Sequence, residues 1–348
     1  MTRLILTGQS IPEFTKSGFA DLVVSFSSRF VWGPLPSVEE LANYLGPCTP
    51  DHGRGTHWSA FAIRWSRSKN KGYRDLALAE FCQQYQTVEL WFDMEPYAQL
   101  QLIWLLDYFR SHPRVLARLK LRLVDIELYL LEGKLAKWQP PAVDVTEREL
   151  ATANGAWQAY RAGTPEACFE LLRRDLSALP LLRPALTELL EELPSGSTGL
   201  GATEMRMLEM IARGYSRTNA LFHLRSVRQT SVFWEAEHIH LLDGLALGPR
   251  PAVAGFDDEL RTLGRDDPWP RLPAWQRSEL SLTEFGKAIV AHKEDFSRHN
   301  PIDRWWGGTH LTNDRLWRWN PVLVNSAGGE RDGTSDIDNQ RQRRGRPH

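Results

Sequence analysis

The sequence is poor in the features that most quickly assign a chain to a class. Its three cysteines, Cys48, Cys82 and Cys168, are odd in number and far apart. They form no CxxC pair, which excludes a disulfide framework and a zinc-finger spacing. No stretch approaches the roughly 18 uninterrupted apolar residues that a membrane-spanning helix needs. Leu4-Ile5-Leu6 is too short for the apolar core of a signal peptide. A soluble, cytoplasmic protein with no membrane partner is therefore expected. An excess of one charge is also missing: 42 basic side chains face 43 acidic ones. That removes any global electrostatic case for nucleic acid and leaves only local patches. Neither a GxGxxG turn nor a Walker lysine occurs, so a nucleotide motif is absent, nor does a GxSxG or HExxH signature, and the cofactor stays unknown.

What is present reads as alternating strands and helices. Arg3-Leu4-Ile5-Leu6-Thr7 forms a first strand and residues 21–26 a second, both rich in residues that suit a pleated, buried surface. A short helix fits between them at residues 11–17. Ser37 can cap a helix over residues 38–44, and residues 57–84 have helical apolar spacing interrupted by a basic loop at 67–71. Residues 88–92 form the clearest strand. Pro96 then starts a helix running to residue 110, at a position where its missing N–H costs nothing. Residues 119–126 supply a further strand. The fold class expected is an α/β N-terminal domain with a mostly parallel sheet, a helical middle region and a winged-helix-like α+β C-terminal domain.

The boundaries follow from composition. Residues 1–138 form the α/β domain, which ends near Pro140-Pro141. Residues 139–198 form a helical linker region, with capping signals at Thr146/Glu149 and at Thr164-Pro165-Glu166. It closes on Ser195-Gly196-Ser197-Thr198-Gly199, expected as a flexible connection. Residues 199–322 hold three helices, a strand at 280–283, another helix, and a hairpin whose turn is Asn313-Asp314. Residues 323–348, polar and arginine-ended, read as a disordered tail.

The strand at 88–92 runs straight into two carboxylates. Asp93 and Glu95 lie two residues apart, so on extended backbone they point the same way. Ligands of open α/β sheets bind beyond the carboxyl ends of the strands. Such a pair can ligate a divalent cation, or divide acid and base roles where burial separates the two pKa values. The plainer reading is that both cap the positive end of the following helix. Gly8-Gln9-Ser10 ends the first strand, and its amides can hold an anion, although glycine in a turn needs no ligand to explain it. The basic residues Arg64, Arg67, Lys69, Lys71 and Arg74 can meet phosphates or simply be solvated.

In the C-terminal region, a DNA-reading helix should be basic. Residues 231–242 instead carry Glu235 and Glu237, a poor surface for a phosphate backbone. His238 and His240 would converge on a metal only from a strand, and the segment reads as helix. Asp303, Arg304 and His310 form a further polar cluster that packing alone can explain.

Several of these stretches together resemble an uncharacterised bacterial family, domain of unknown function 1835. They are Leu6-Thr7-Gly8-Gln9-Ser10, Gly33-Pro34-Leu35-Pro36, residues 90–100, Leu282-Thr283-Glu284-Phe285-Gly286, and Asp303-Arg304-Trp305-Trp306-Gly307-Gly308-Thr309-His310-Leu311. The similarity spans most of residues 3–320 and implies no particular activity. Departures from the family pattern fall on polar positions. Gln9 stands where the family turn reads Gly-Asp-Ser, and Ser28 replaces an aspartate five residues before the Gly-Pro pair. Asp93, Met94, Glu95 and Ala98 occupy a segment that resembles Trp-Phe-Glu-His-Asp followed by another aspartate. By that comparison the chain has lost a histidine and three carboxylates.

The expectation is a ligand-binding or interaction protein with a small-molecule or protein partner. Its ligand would lie near Gly8, Gln9, Ser10, Ser28, Asp93 and Glu95. Two other classes stand beside it: a cation-dependent enzyme acting on a phosphate-containing substrate, with Asp93 and Glu95 as ligands, and a DNA-binding regulator using the C-terminal domain.

Overall fold

A computed structural model describes residues 2–8, 20–26, 28–50, 52–53, 55–64, 74–123, 141–222, 232–261, 268–319 and 323–325. Gln9, Ser10, the helix expected at 11–17, the basic residues Arg67, Lys69 and Lys71, and nearly all of the expected tail lie outside these residues.

The N-terminal half is built on a six-stranded sheet. Its elements in chain order are β1 (Arg3–Thr7), β2 (Leu22–Ser25), α1 (Val38–Leu45), a 3-10 turn (Trp58–Phe61), β3 (Ala62–Arg64), α2 (Leu78–Cys82), β4 (Thr87–Phe92), α3 (Pro96–Phe109), α4 (Pro113–Leu116), β5 (Leu119–Leu123) and β6 (Val143–Asp144). The strand order is β3-β2-β1-β4-β5-β6. The four central strands run parallel, with Leu4 opposite both Leu22 and Val88. β3 and β6 close the two edges antiparallel. The helical reading of residues 57–84 is thus corrected: Ala62–Arg64, with Arg64 in it, is an edge strand. Three residues are too few for period 2 to be told from period 3.6.

Local chemistry accounts for several element ends. Ser37 Oγ accepts from the Glu40 amide while the Glu40 carboxylate accepts from the Ser37 amide, a reciprocal cap that starts α1. α3 is buried on every side, as befits a helix that is hydrophobic all round. It lies between the sheet and two helices of the middle region, α5 (Glu147–Tyr160) and α7 (Leu182–Glu191), with α6 (Glu166–Leu171) against α5. Leu4, Leu6, Val24, Leu90 and Phe92 face this layer.

The opposite face of the sheet buries Ile5, Val23 and Trp91 together with a charged group. Glu89, in mid-strand, accepts from Arg3 Nη2 at 2.5 Å, Trp91 Nε1 at 2.8 Å, and Arg122 Nε at 2.7 Å and Nη2 at 3.0 Å. Burial alone would raise its carboxyl pKa. The Arg122 and Arg3 bonds outweigh that and hold it below the ordinary range.

The C-terminal half comprises α8 (Ala202–Ala212), α9 (Thr218–Phe222), α10 (Glu235–Leu247), β7 (Val253–Ala254), a 3-10 turn (Asp258–Arg261), α11 (Pro268–Arg277), β8 (Ser281–Leu282), α12 (Glu284–Val290), a 3-10 turn (Phe296–Arg298), β9 (Asp303–Trp306), β10 (Thr309–Thr312), β11 (Trp317–Trp319) and β12 (Leu323–Asn325). The turn expected at Asn313-Asp314 is present, flanked by an antiparallel bridge between Thr312 and Arg315, but the longer hairpin is β9–β10, which turns at Gly307-Gly308. Gly307 adopts φ 54°, and a Cβ on either glycine would strike the backbone at Tyr160 or Arg161. A close approach therefore demands glycine there. β11 and β12 form a second ladder, which takes residues 323–325 out of the expected tail.

The segment 195–199 is not a flexible connection. Ser195 N donates to Leu200 O at 2.9 Å, the Ser195 and Thr198 hydroxyls are 2.7 Å apart, and Gly199, at φ 69°, packs on Asp295 and Ser297. Serine and glycine here serve a tight hydrogen-bonded turn, a use that composition does not distinguish from a linker. One contiguous cluster of buried apolar residues runs from Leu4 to Leu316, across residues 138 and 198.

Candidate functional site

The parallel strands reverse their order between β1 and β4: β2 lies on one side of β1, β5 on the far side of β4. At such a switch point the loops leaving the two carboxyl ends diverge and leave a crevice between them. Gly8 leaves β1 here, and Asp93, Met94 and Glu95 leave β4.

Two side chains of α3 complete the crevice floor. Gln101 Nε2 donates to Ser28 O at 2.6 Å and Phe26 O at 3.3 Å, tying the end of β2 to the helix. Its Oε1 is buried with no hydrogen-bond partner and lies 2.5 Å from where a Cβ on Gly8 would stand. Glycine at position 8 is what lets this amide in. Gln99 Nε2 donates to Asp93 O. Gln99 and Gln101, each 1% exposed, are not among the residues expected from the sequence. A signal for them exists: they alone interrupt the apolar run from Tyr97 to Leu106.

The expected carboxylates are both present and both buried, each 4% exposed. Asp93 Oδ1 accepts from Glu95 N at 3.1 Å, a local turn that sets the start of α3. Glu95 occupies the N-cap position without a side-chain cap bond. Its charge acts on Arg29, which follows Ser28. Ser28 itself lines a cleft of about 730 Å³ together with Leu41, Tyr44, Pro47 and His52. Gly8, Ser28, Asp93 and Glu95 thus share one edge of the sheet, but only Ser28 is on the cleft wall. Among the described residues no group of three or more His, Cys, Asp or Glu side chains is placed to hold a metal.

The start of α10 packs against Arg29 and Tyr97. Glu237 Oε2 accepts from Trp234 N at 2.9 Å and lies 3.2 Å from Arg29 Nη1. The Arg29 guanidinium is 4.0 Å from the Trp234 ring centre and 5.3 Å from that of Tyr97. Burial lowers its pKa, against the pull of Glu237, Tyr97 and Glu95. His238 is buried beside it. Burial first, then the Arg29 charge, bring its pKa down to about 4, so the ring is neutral at pH 7. His240 stacks on Trp32 with ring centres 5.4 Å apart. The two histidines therefore do not converge, as the helical reading of the segment required.

Near the C-terminus, His310 Nε2 is 2.6 Å from Asp303 Oδ1, and the imidazole stacks on Trp305 at 4.6 Å. Arg304 is not in that group. It reaches Glu204 Oε2 at 2.8 Å and Glu192 O at 3.3 Å, because neighbouring residues on a strand face opposite ways. The three expected partners separate into an exposed pair and a half-buried strut.

Neither a scan against models of known protein families nor a search among curated proteins finds a match for this chain. No helix among the described residues is long and apolar enough to cross a membrane.

Proposed function

We propose that the chain is a ligand-binding protein whose site is the crevice between the carboxyl ends of β1 and β4, opening into the cleft beside Ser28. The reversal of strand order at Gly8 and Asp93 carries this reading, since it is the place where this sheet geometry makes room. A cleft of about 730 Å³ is of small-molecule size. The resemblance to domain of unknown function 1835 supports the same location, because its polar departures at Ser28 and residues 93–98 belong to this edge. On this reading the chain is a divergent relative in which Asp93 and Glu95 shape the crevice rather than carry a reaction.

The alternatives draw less support. Asp93 spends one carboxylate oxygen on the Glu95 amide, which weakens the case for a cation enzyme. The winged-helix-like description of residues 199–322 rests on α8 to α10 and the β9–β10 hairpin. We read it as a scaffold, because Glu237, His238, Ile239, Leu241 and Leu242 of α10 are buried, so that this helix is packed into the chain rather than set out for a groove.

The test is a thermal-shift screen of small molecules on the full chain and on Ser28→Trp, which fills the cleft mouth. A ligand at about 100 times its Kd should stabilise by about 2.7 kcal/mol, and Ser28→Trp should abolish the shift. A shift that survives in Ser28→Trp puts binding elsewhere and refutes the reading.

A further inference from the structure

Buried donors are ordinarily paired, so each exception calls for a reason. Arg29 is the largest exception at the crevice. Its side chain is 18% exposed, and Nη1 has Glu237 at 3.2 Å. Nε and Nη2 are both buried without a hydrogen-bond partner. Those two N–H groups share one edge of the planar guanidinium, the edge that forks onto two oxygens of a carboxylate or phosphate. The same chain shows that edge in use, where Arg122 sets Nε and Nη2 on Oε2 and Oε1 of Glu89. Arg271 orphans only its Nε; Arg29 orphans the whole two-point edge.

The edge is also held in place. Trp234 and Tyr97 lie within cation–π range of the guanidinium, and the Glu237 pair fixes its far end. Arg29 directly follows Ser28, whose carbonyl is pinned by Gln101 and which lines the cleft. We propose that Arg29 is the anchor for the oxyanion group of a small-molecule ligand, a carboxylate or a phosphate, bound bidentately in the switch-point crevice. This rests on the site reading above. Glu237 already balances one charge of the pair, and Glu95 lies within electrostatic reach. Net attraction for anions is therefore weak. Selection is by the fork, so planar or tetrahedral oxyanions bind where chloride does not.

The experiment uses the full chain at constant ionic strength, with inorganic phosphate, succinate and chloride as probes and melting temperature as readout. Phosphate or succinate should raise the melting temperature saturably over chloride, and which of them does so identifies the oxyanion. Arg29→Lys keeps the charge and the Glu237 pair but loses the fork; it should weaken the apparent affinity at least about tenfold. Arg29→Lys is referenced to its own melting temperature in chloride, so a change in stability does not mimic a loss of binding. Equal stabilisation of both proteins by the oxyanion overturns the proposal. If no oxyanion stabilises the wild type while an uncharged compound does, and Ser28→Trp removes that effect, Arg29 is not the anchor but the crevice site stands. If Ser28→Trp changes nothing for any probe, both fall.

Discussion

Replacing Glu89 by glutamine strikes the sheet where its packing is most demanding. The carboxylate is 3% exposed and takes four hydrogen bonds: two from Arg122, one from Arg3 and one from Trp91. Glutamine keeps one acceptor oxygen but turns the other into a donor that faces donors. Arg122, 8% exposed, then loses the Glu89 counter-charge, while Arg3 is more exposed. Breaking a buried pair by removing one partner costs about 3–5 kcal/mol, and the retained acceptor puts this variant near the lower figure, about 3 kcal/mol. That is a large share of the roughly 5–15 kcal/mol by which a folded domain is stable.

The effect of pH on this loss has a definite sign. The folded carboxyl titrates below its ordinary value, so its contribution is fully present above the unfolded pKa of about 4.3 and fades as pH falls below that. Urea denaturation of the wild type and Glu89→Gln at pH 7 and pH 3.5 measures both quantities. The gap should be about 3 kcal/mol at pH 7 and visibly smaller at pH 3.5. A gap under about 1 kcal/mol at pH 7, or one unchanged at pH 3.5, would refute the reasoning, since exposed pairs contribute only about 0–1 kcal/mol.

Two further outcomes are expected. Burial pushes the Glu192 carboxyl up to about 7, against the pull of the Thr203 bonds. Its folded pKa is raised, so stability present below about pH 4.5 is lost as pH rises to about 7, by on the order of 3 kcal/mol. Glu192→Gln should accordingly gain on the wild type between pH 5 and pH 8, and a flat difference in denaturation free energy would contradict this. Among the thiols, burial raises Cys168 to about 12 and Cys82 further, whereas Cys48 is half-buried. A thiol reagent at pH 8 should label one site per native chain and three in urea; fast labelling of Cys82 or Cys168 in the native state would count against the fold around them.

Much of the architecture was legible because it is local. β1, β2, β4 and α3 lie within a residue or two of their expected places, for period, proline position and apolar runs are properties of short segments. The caps at Ser37 and Thr146 form as their spacing requires. The same locality misled where elements are short or glycine-rich: β3, the Gly307-Gly308 turn and the tight turn at 195–199 look like helix, strand interior and linker until partners from elsewhere pack against them.

For the site, the sequence by itself determined that Asp93 and Glu95 would sit at a strand end ahead of a proline-started helix, and that Gly8 would end the first strand. Tertiary structure decided which strands are neighbours, and thereby that Gly8 and Asp93 face each other across a switch point. It also decided that the carboxylates are buried and that Arg29, Gln99 and Gln101 stand among them. Those side chains come from different segments, and no local pattern encodes a meeting that depends on the order in which strands pair.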